Sequence, residues 1–218
     1  MSILQQRPFR HPLTVCEEFR PWPNAPDHVW VNHLLVISAH IVQYCFGDEC
    51  QQSFTRHSEL VQRRKQWVAS CPVSFIPVYF EEADQAKGEL FPKLWYLNDC
   101  HIVAMQMLAL TNILLTTYNP HNPRMGHNYQ QAMASINNEI KASVLELCGV
   151  ALSNRQSPTA LLTACMGIMM CGERFTDRGE QEALMRILVD MSCENNYWPT
   201  KGAQTRMEEV WGWKHPDT

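Results

Sequence analysis

Glycine is scarce in this chain, 9 residues of 218, and the few present do not cluster. No Gly-rich phosphate loop, no G-x-S-x-G elbow and no H-E-x-x-H pair occurs, which removes the familiar signatures of nucleotide binding, serine hydrolysis and zinc proteolysis. Charge is also sparse: 18% of residues are charged and the formal net charge is −4. Nothing at the whole-chain level attracts nucleic acid, so no direct nucleic acid contact is expected. The opening residues, MSILQQRPFRHPL, have no apolar core of the signal-peptide kind. A reducing compartment, nucleus or cytoplasm, is the expectation.

Cysteine is plentiful but unpatterned. The 9 cysteines stand at 16, 45, 50, 71, 100, 148, 165, 171 and 193, and no two have C-x-x-C spacing. Several lie in apolar helical stretches, where Cys behaves as a small buried hydrophobe. Cys45 with Cys50, and Cys165 with Cys171, lack a further His or Cys at ligand spacing. No metal site, no cofactor and no catalytic residue is assigned to this chain from the sequence.

What is abundant is apolar helix-forming sequence, 45% hydrophobic overall. Leu94 to Tyr118 contains no Gly or Pro, is rich in Leu, Met and Ala, and is apolar on nearly every face. By length it resembles a membrane span, but Asn98, Asp99, His101, Gln106 and Asn112 interrupt it. It reads as the buried central helix of a soluble all-α domain of about seven helices. Residues 1–27 read as an irregular arm that docks Trp22, 28–213 as the helical domain, and 214–218 as a tail.

Asp27 reads as the N-cap of the first helix, with Trp30, Leu34, Ile37, Ile41 and Tyr44 inward and a left-handed Gly47 at its end. Gln51 to Ser70 reads as a second helix with a stripe of Phe54, Val61 and Val68, and Leu60 and Trp67 beside it. Arg56, Arg63, Arg64 and Lys65 are expected on its outer, solvated face. Ser74 to Phe80 reads as an extended segment over the core, and Glu81 to Glu89 as an acidic loop. A helix from Tyr129 to Ser153 presents Met133, Ile136, Ile140, Val144, Leu147 and Ala151. Ser157-Pro158 opens another, Thr159 to Cys171. Asp177 and Glu180 form a capping-box pattern before Ala183, Leu184, Ile187, Leu188 and Met191. Trp211 and Trp213 are expected to pack back on the body.

Few side chains suggest chemistry. His28, His33 and His40 lack carboxylates at ligand spacing and read as structural. Glu81-Glu82 and Glu208-Glu209 are adjacent, so each pair points to different sides. Asn98, His101 and Gln106 are polar groups in a buried helix; they either satisfy neighbouring helices or line a cavity. Met105, Met107, Met166, Met169 and Met170 suit an adaptable apolar pocket as well as plain core.

Five motifs occur in order: Phe91-Pro92-x-x-Trp95, Cys148-Gly149-x-Ala151-Leu152, Thr176-Asp177-x-x-Glu180-Gln181-x-Ala183-Leu184, Trp198-Pro199-Thr200, and Glu208-Glu209-x-Trp211-Gly212-Trp213. Together they resemble the C-terminal regulatory region of fungal zinc-cluster transcription factors, over roughly residues 89–213. The resemblance implies an α-helical, effector-sensing or activity-controlling domain in the nucleus. It also implies a small-molecule effector and transcriptional co-regulator proteins as partners. The six-cysteine cluster is absent, so zinc and DNA contact would belong to a separate DNA-binding domain. The rival readings are a helical interaction scaffold and a stand-alone small-molecule carrier or enzyme, with Asn98, His101 and Gln106 as its polar centre. No membrane partner is expected; a homodimer is compatible with such a domain, although no heptad seam is visible.

Overall fold

Apolar residues at three- and four-residue spacing wind into helices. The computed structural model describes residues 6–8, 19–47, 52–194 and 200–213. Among them seven helices form: α1 (Asp27–Phe46), α2 (Phe54–Ser70), α3 (Asp99–Thr117), α4 (Tyr129–Ser153), α5 (Pro158–Cys171), α6 (Arg178–Glu194) and α7 (Lys201–Val210). The fold is all-α. Among the described residues one small ribbon pairs β1 (Tyr79–Glu81) antiparallel with β2 (Lys93–Trp95), setting Tyr79 opposite Trp95 and Phe80 opposite Leu94.

α3 is the axis, but it starts five residues later than the sequence suggests. Leu94 and Trp95 belong to β2, and Asn98 starts the helix by accepting from the Cys100 N–H at 3.0 Å. The strand is held in place from α4. Ser153 Oγ accepts from the Leu94 N–H (3.1 Å), Asn154 Oδ1 from the Tyr96 N–H (3.2 Å), and Asn154 Nδ2 donates to the Leu94 carbonyl (2.7 Å). These side chains supply the partners a third strand would otherwise provide.

Because α3 is apolar all round, it serves two cores. Ala104, Leu108, Leu114 and Leu115 pack with Leu34, Ile37 and Ile41 of α1, Leu60 and Trp67 of α2, and Phe75. Ile102, Ala109, Leu110 and Ile113 pack with α4, α5, α6 and α7. Met105, Met107 and Met170 touch both clusters. α1 and α3 are each long and apolar enough to cross a membrane, and 56% and 61% of their apolar windows are buried inside the bundle.

Several local expectations are corrected. Trp22 is 56% exposed rather than docked. Asp27 is the first residue of α1, after Pro26, and its carboxylate serves other partners. Gly47 is extended (φ −83°), not left-handed; a β-carbon there would meet the Gln43 carbonyl oxygen at 2.4 Å. In α2 the predicted stripe fails, with Phe54 58% and Val68 48% exposed. The face against α3 is instead His57, Leu60, Arg64 and Trp67. His57 Nε2 donates to the Leu115 carbonyl at 3.0 Å, and Arg64 donates to Thr111 Oγ1 (3.3 Å) and the Leu108 carbonyl (3.2 Å). Arg64 is thus an inward residue, not an outer one. The 74–80 segment covers the core only through Phe75, in a 3₁₀ turn, while Val73, Ile76, Val78 and Phe80 are exposed.

Candidate functional site

The polar residues of α3 do not converge. His101 and Gln106 are five residues apart, which on an α-helix is roughly 140° of rotation. His101 accordingly faces α1, where its Nε2 donates to Asp27 Oδ2 at 2.7 Å and its ring lies 4.7 Å from that of Phe75. Gln106 faces α4 and α5, donating to the Leu147 (3.3 Å) and Ala160 (2.8 Å) carbonyls. Burial pushes the Asp27 carboxyl up, but hydrogen bonds from His101 and Ser74, with the charges of His101 and His28, outweigh it and hold the pKa below its ordinary value. These contacts tie helices together.

The motif residues that carry the resemblance also pack. Gly149 of α4 lies against the Pro92 backbone. Trp211 Nε1 donates to the Gly172 carbonyl (2.8 Å) and Trp213 Nε1 to Gln181 Oε1 (3.0 Å). The Arg178 guanidinium lies 3.7 Å from the Trp213 ring centre. Glu180 departs from the capping box: its N–H bonds Asp177 Oδ1 (3.0 Å), but its carboxylate pairs with Lys141 (2.6 Å). Phe91, Pro92, Trp95, Leu152 and Ala183 line one open cavity of about 480 Å³. Trp198 and Pro199 lie outside the described residues.

Among the described residues no three His, Cys, Asp or Glu side chains group to hold a metal ion. Cys45 is buried, with its thiol pushed up to about 12 by burial; Cys50 lies outside the described residues. Cys165 Sγ lies 3.1 Å from Met191 Sδ, and burial pushes its thiol up to about 12. Cys171 is pushed up to about 11, again chiefly by burial. Thiols held protonated in this way are poor nucleophiles and poor ligands. Met169 and Met170 line a cavity of about 220 Å³ with Arg206 and Met207.

A different cavity has the composition of a ligand site. It lies where α1 crosses α2, beside residues 20 and 21, and holds about 280 Å³. Trp30 and Trp67 form its aromatic wall, with ring centres 6.4 Å apart and nearly perpendicular. Trp67 is fixed by its own Nε1, which donates to the Trp30 carbonyl at 2.9 Å. Val36 and Ile37 add apolar surface, while Arg20, His33, Arg63, Gln66 and Ser70 add polar groups. Among the described residues no Asp or Glu lines it. His33 Nδ1 is buried without a hydrogen-bond partner, and burial, reinforced by the Arg20 and Arg63 charges, pulls the His33 pKa down to about 4. Arg63 is held by Glu59, one turn away, at 3.3 Å.

The other histidines of α1 behave differently. His28 lines an open cavity with Asp99, Cys100 and Thr159, and His40 is buried with its Nδ1 3.4 Å from Arg56 Nη2. Sequence reasoning singled out His33 only as one of three helical histidines and placed Arg63 on a solvated face. The missing signal is the phase of α2: once Leu60 and Trp67 are placed inward, Arg63 and Gln66 fall on the flank nearest α1.

No family model, curated protein or solved structure matches the chain.

Proposed function

We propose that the chain is an effector-sensing regulatory domain of the kind that follows the zinc cluster in fungal transcription factors. It acts in the nucleus with co-regulator proteins, does no catalysis, and leaves zinc and DNA contact to a separate domain. The observation that carries this reading is the division of the core into two halves on opposite sides of α3, with Met105, Met107 and Met170 at the seam. The cavity between α1 and α2 lies in one half. The motif tryptophans lie in the other. A ligand that biases α1 and α2 would shift the packing on α3, and soft methionine side chains let two packings differ by little energy.

Tethered to a heterologous DNA-binding domain, the full chain should change transcription of a reporter severalfold in either direction. A stable nuclear fusion that leaves the reporter unchanged under all nutrient conditions would sink the regulatory reading. The exposed Val73, Ile76, Phe80, Trp95 and Leu97 favour a second reading, an interaction scaffold that docks a partner protein without any small molecule. Reporter activity that persists when the α1–α2 cavity is filled by substitution would favour that scaffold.

A further inference from the structure

We propose that the outer edge of β1 pairs with the same edge of a second copy of this chain. Two ribbons then join into one four-stranded antiparallel sheet across a two-fold axis at Phe80. The inference goes beyond the effector-sensing reading and requires no ligand.

β1 is an edge strand. It pairs with β2 on one side, and among the described residues no third strand lies on the other. Which of its backbone groups are free follows from β2. Leu94 gives its N–H to Ser153 Oγ (3.1 Å) and its carbonyl accepts from Asn154 Nδ2 (2.7 Å), so both point away from β1. Phe80 stands opposite Leu94. In an antiparallel ladder, a residue opposite such a non-bonded partner turns its own N–H and carbonyl outward. The Phe80 N–H and carbonyl therefore face the open edge, placed to exchange two hydrogen bonds with an antiparallel Phe80 of another copy. Edge strands template further pairing unless charge, proline or a covering element blocks them. Pro77 stands two residues before β1 and leaves Phe80 open.

The edge is self-complementary in one register. An axis at Glu81 or at Glu82 sets like carboxylates directly opposite each other, which is destabilising. An axis at Tyr79 needs the Val78 N–H, which already donates to the Trp95 carbonyl at 2.8 Å. An axis at Phe80 avoids both faults. It sets Glu81 of one copy opposite Tyr79 of the other, and Glu82 opposite Val78. The Tyr79 hydroxyl already donates to Glu81 Oε2 within β1 at 2.7 Å, so the same two groups match across the seam.

The apolar surface fits a partner of this size. Ile76, Val78, Tyr79, Phe80, Trp95 and Leu97 are all exposed, on the ribbon or within three residues of it. Together they expose on the order of 800 Å², which is what each partner gives to a standard interface. The largest apolar patch of an ordinary monomer is smaller, about 300–600 Å². Val78 and Phe80 alternate with Tyr79 along the strand, so pairing at the edge covers part of both ribbon faces.

The test is sedimentation velocity on the full chain, from low micromolar to submillimolar concentration. A dimer of twice 25.2 kDa is expected. Phe80→Lys and Phe80→Glu, checked for native circular dichroism, should each weaken association about tenfold or more, because like charges then meet on the axis. Mixed in equal amounts, the two variants should dimerise again, since lysine then faces glutamate. Met125→Lys, at an exposed residue before α4, should dimerise as the wild type does. Should the Phe80 variants fail to fold, hydrogen exchange in the wild type decides: the Phe80 N–H should gain protection as concentration rises.

A chain that stays monomeric at submillimolar concentration would overturn the proposal and leave the ribbon to a different partner. A dimer that survives Phe80→Lys, or lysine and glutamate variants that do not recombine, would overturn the axis at Phe80. So would a Phe80 N–H whose exchange ignores concentration. Each of these outcomes leaves effector sensing to its own reporter test.

Discussion

Gly149 of α4 faces the backbone of Pro92 so closely that a β-carbon there would lie 2.3 Å from the Pro92 carbonyl oxygen. The obstacle is main chain, followed by the proline ring at 2.9 Å, so neither side can give way by a rotamer change. Gly149→Ala therefore forces α4 and the segment before β2 apart. Overpacking of this kind typically costs about 1–3 kcal/mol, and the helix-propensity gain of about 1 kcal/mol offsets only part. A lowered Tm is expected by thermal denaturation. Gly202→Ala is the control, because nothing lies within 4 Å of its added carbon; it should leave Tm unchanged or slightly raised.

The Asp27–His101 pair joins the first turn of α1 to the first turn of α3. Asp27→Ala removes the acceptor for a histidine whose side chain is 5% exposed. The buried N–H left behind costs about 1–3 kcal/mol. Asp27→Asn keeps an acceptor oxygen and should lose less. The folded carboxyl titrates below its ordinary 3.8, so its contribution is present above that pH and is lost as pH falls through the lower folded value. Urea denaturation from pH 5 to pH 2 should show a smaller acid-side loss in Asp27→Asn than in the wild type, the remainder coming from other carboxylates held low, such as Glu59.

His33 acts in a different window. Its folded pKa of about 4 lies below the ordinary 6.5, so the unfolded chain binds the proton first as pH falls. Stability is therefore full above about 6.5 and declines down to about 4. His33→Phe, which keeps a ring against the Phe19 ring 6.3 Å away, should flatten Tm across that interval. A wild-type Tm independent of pH between 6.5 and 4 would show that His33 is solvated and ordinary.

The sequence carried the helices more faithfully than their faces. α4 runs from Tyr129 to Ser153, as its Ile140, Val144, Leu147, Ala151 stripe implies, because one periodic face meets one core. α2 misleads because it has two candidate faces. Phe54, Val61 and Val68 are more apolar than His57 and Arg64, yet α3 offers the Leu108 and Leu115 carbonyls and the Thr111 hydroxyl at the positions those polar side chains reach. Polar groups that find backbone partners can be buried; composition alone does not reveal the partners. The same limit hid the start of α3. Leu94 and Trp95 have helical neighbours in sequence, but Ser153 and Asn154, about 60 residues away, hold them as a strand. The α1–α2 cavity was illegible for a related reason. Trp30 and His33 sit on one helix, Arg63 and Trp67 on another, and only the crossing places them together.

The C-terminal turn offers the last test. Trp211 and Trp213 follow α7 and lie with ring centres 5.2 Å apart. Each spends its indole N–H on the body, one on the Gly172 carbonyl and one on Gln181. Gln181 is itself anchored, its Nε2 donating to the Phe175 carbonyl at 2.8 Å. Two hydrogen bonds and one Arg178–Trp213 contact together contribute roughly 2 kcal/mol. In a domain of this size each kcal/mol moves Tm by about 2–4 °C. Ending the chain after Met207 should therefore lower Tm by about 4–8 °C. Gln181→Ala should reproduce part of that loss in the intact chain, since it leaves the Trp213 N–H and the Phe175 carbonyl without these partners while Trp211 still binds. If the truncated chain melts with the intact one, the tail is peripheral, and the second core must be closed by α5, α6 and the Ala203 and Met207 side chains of α7 alone.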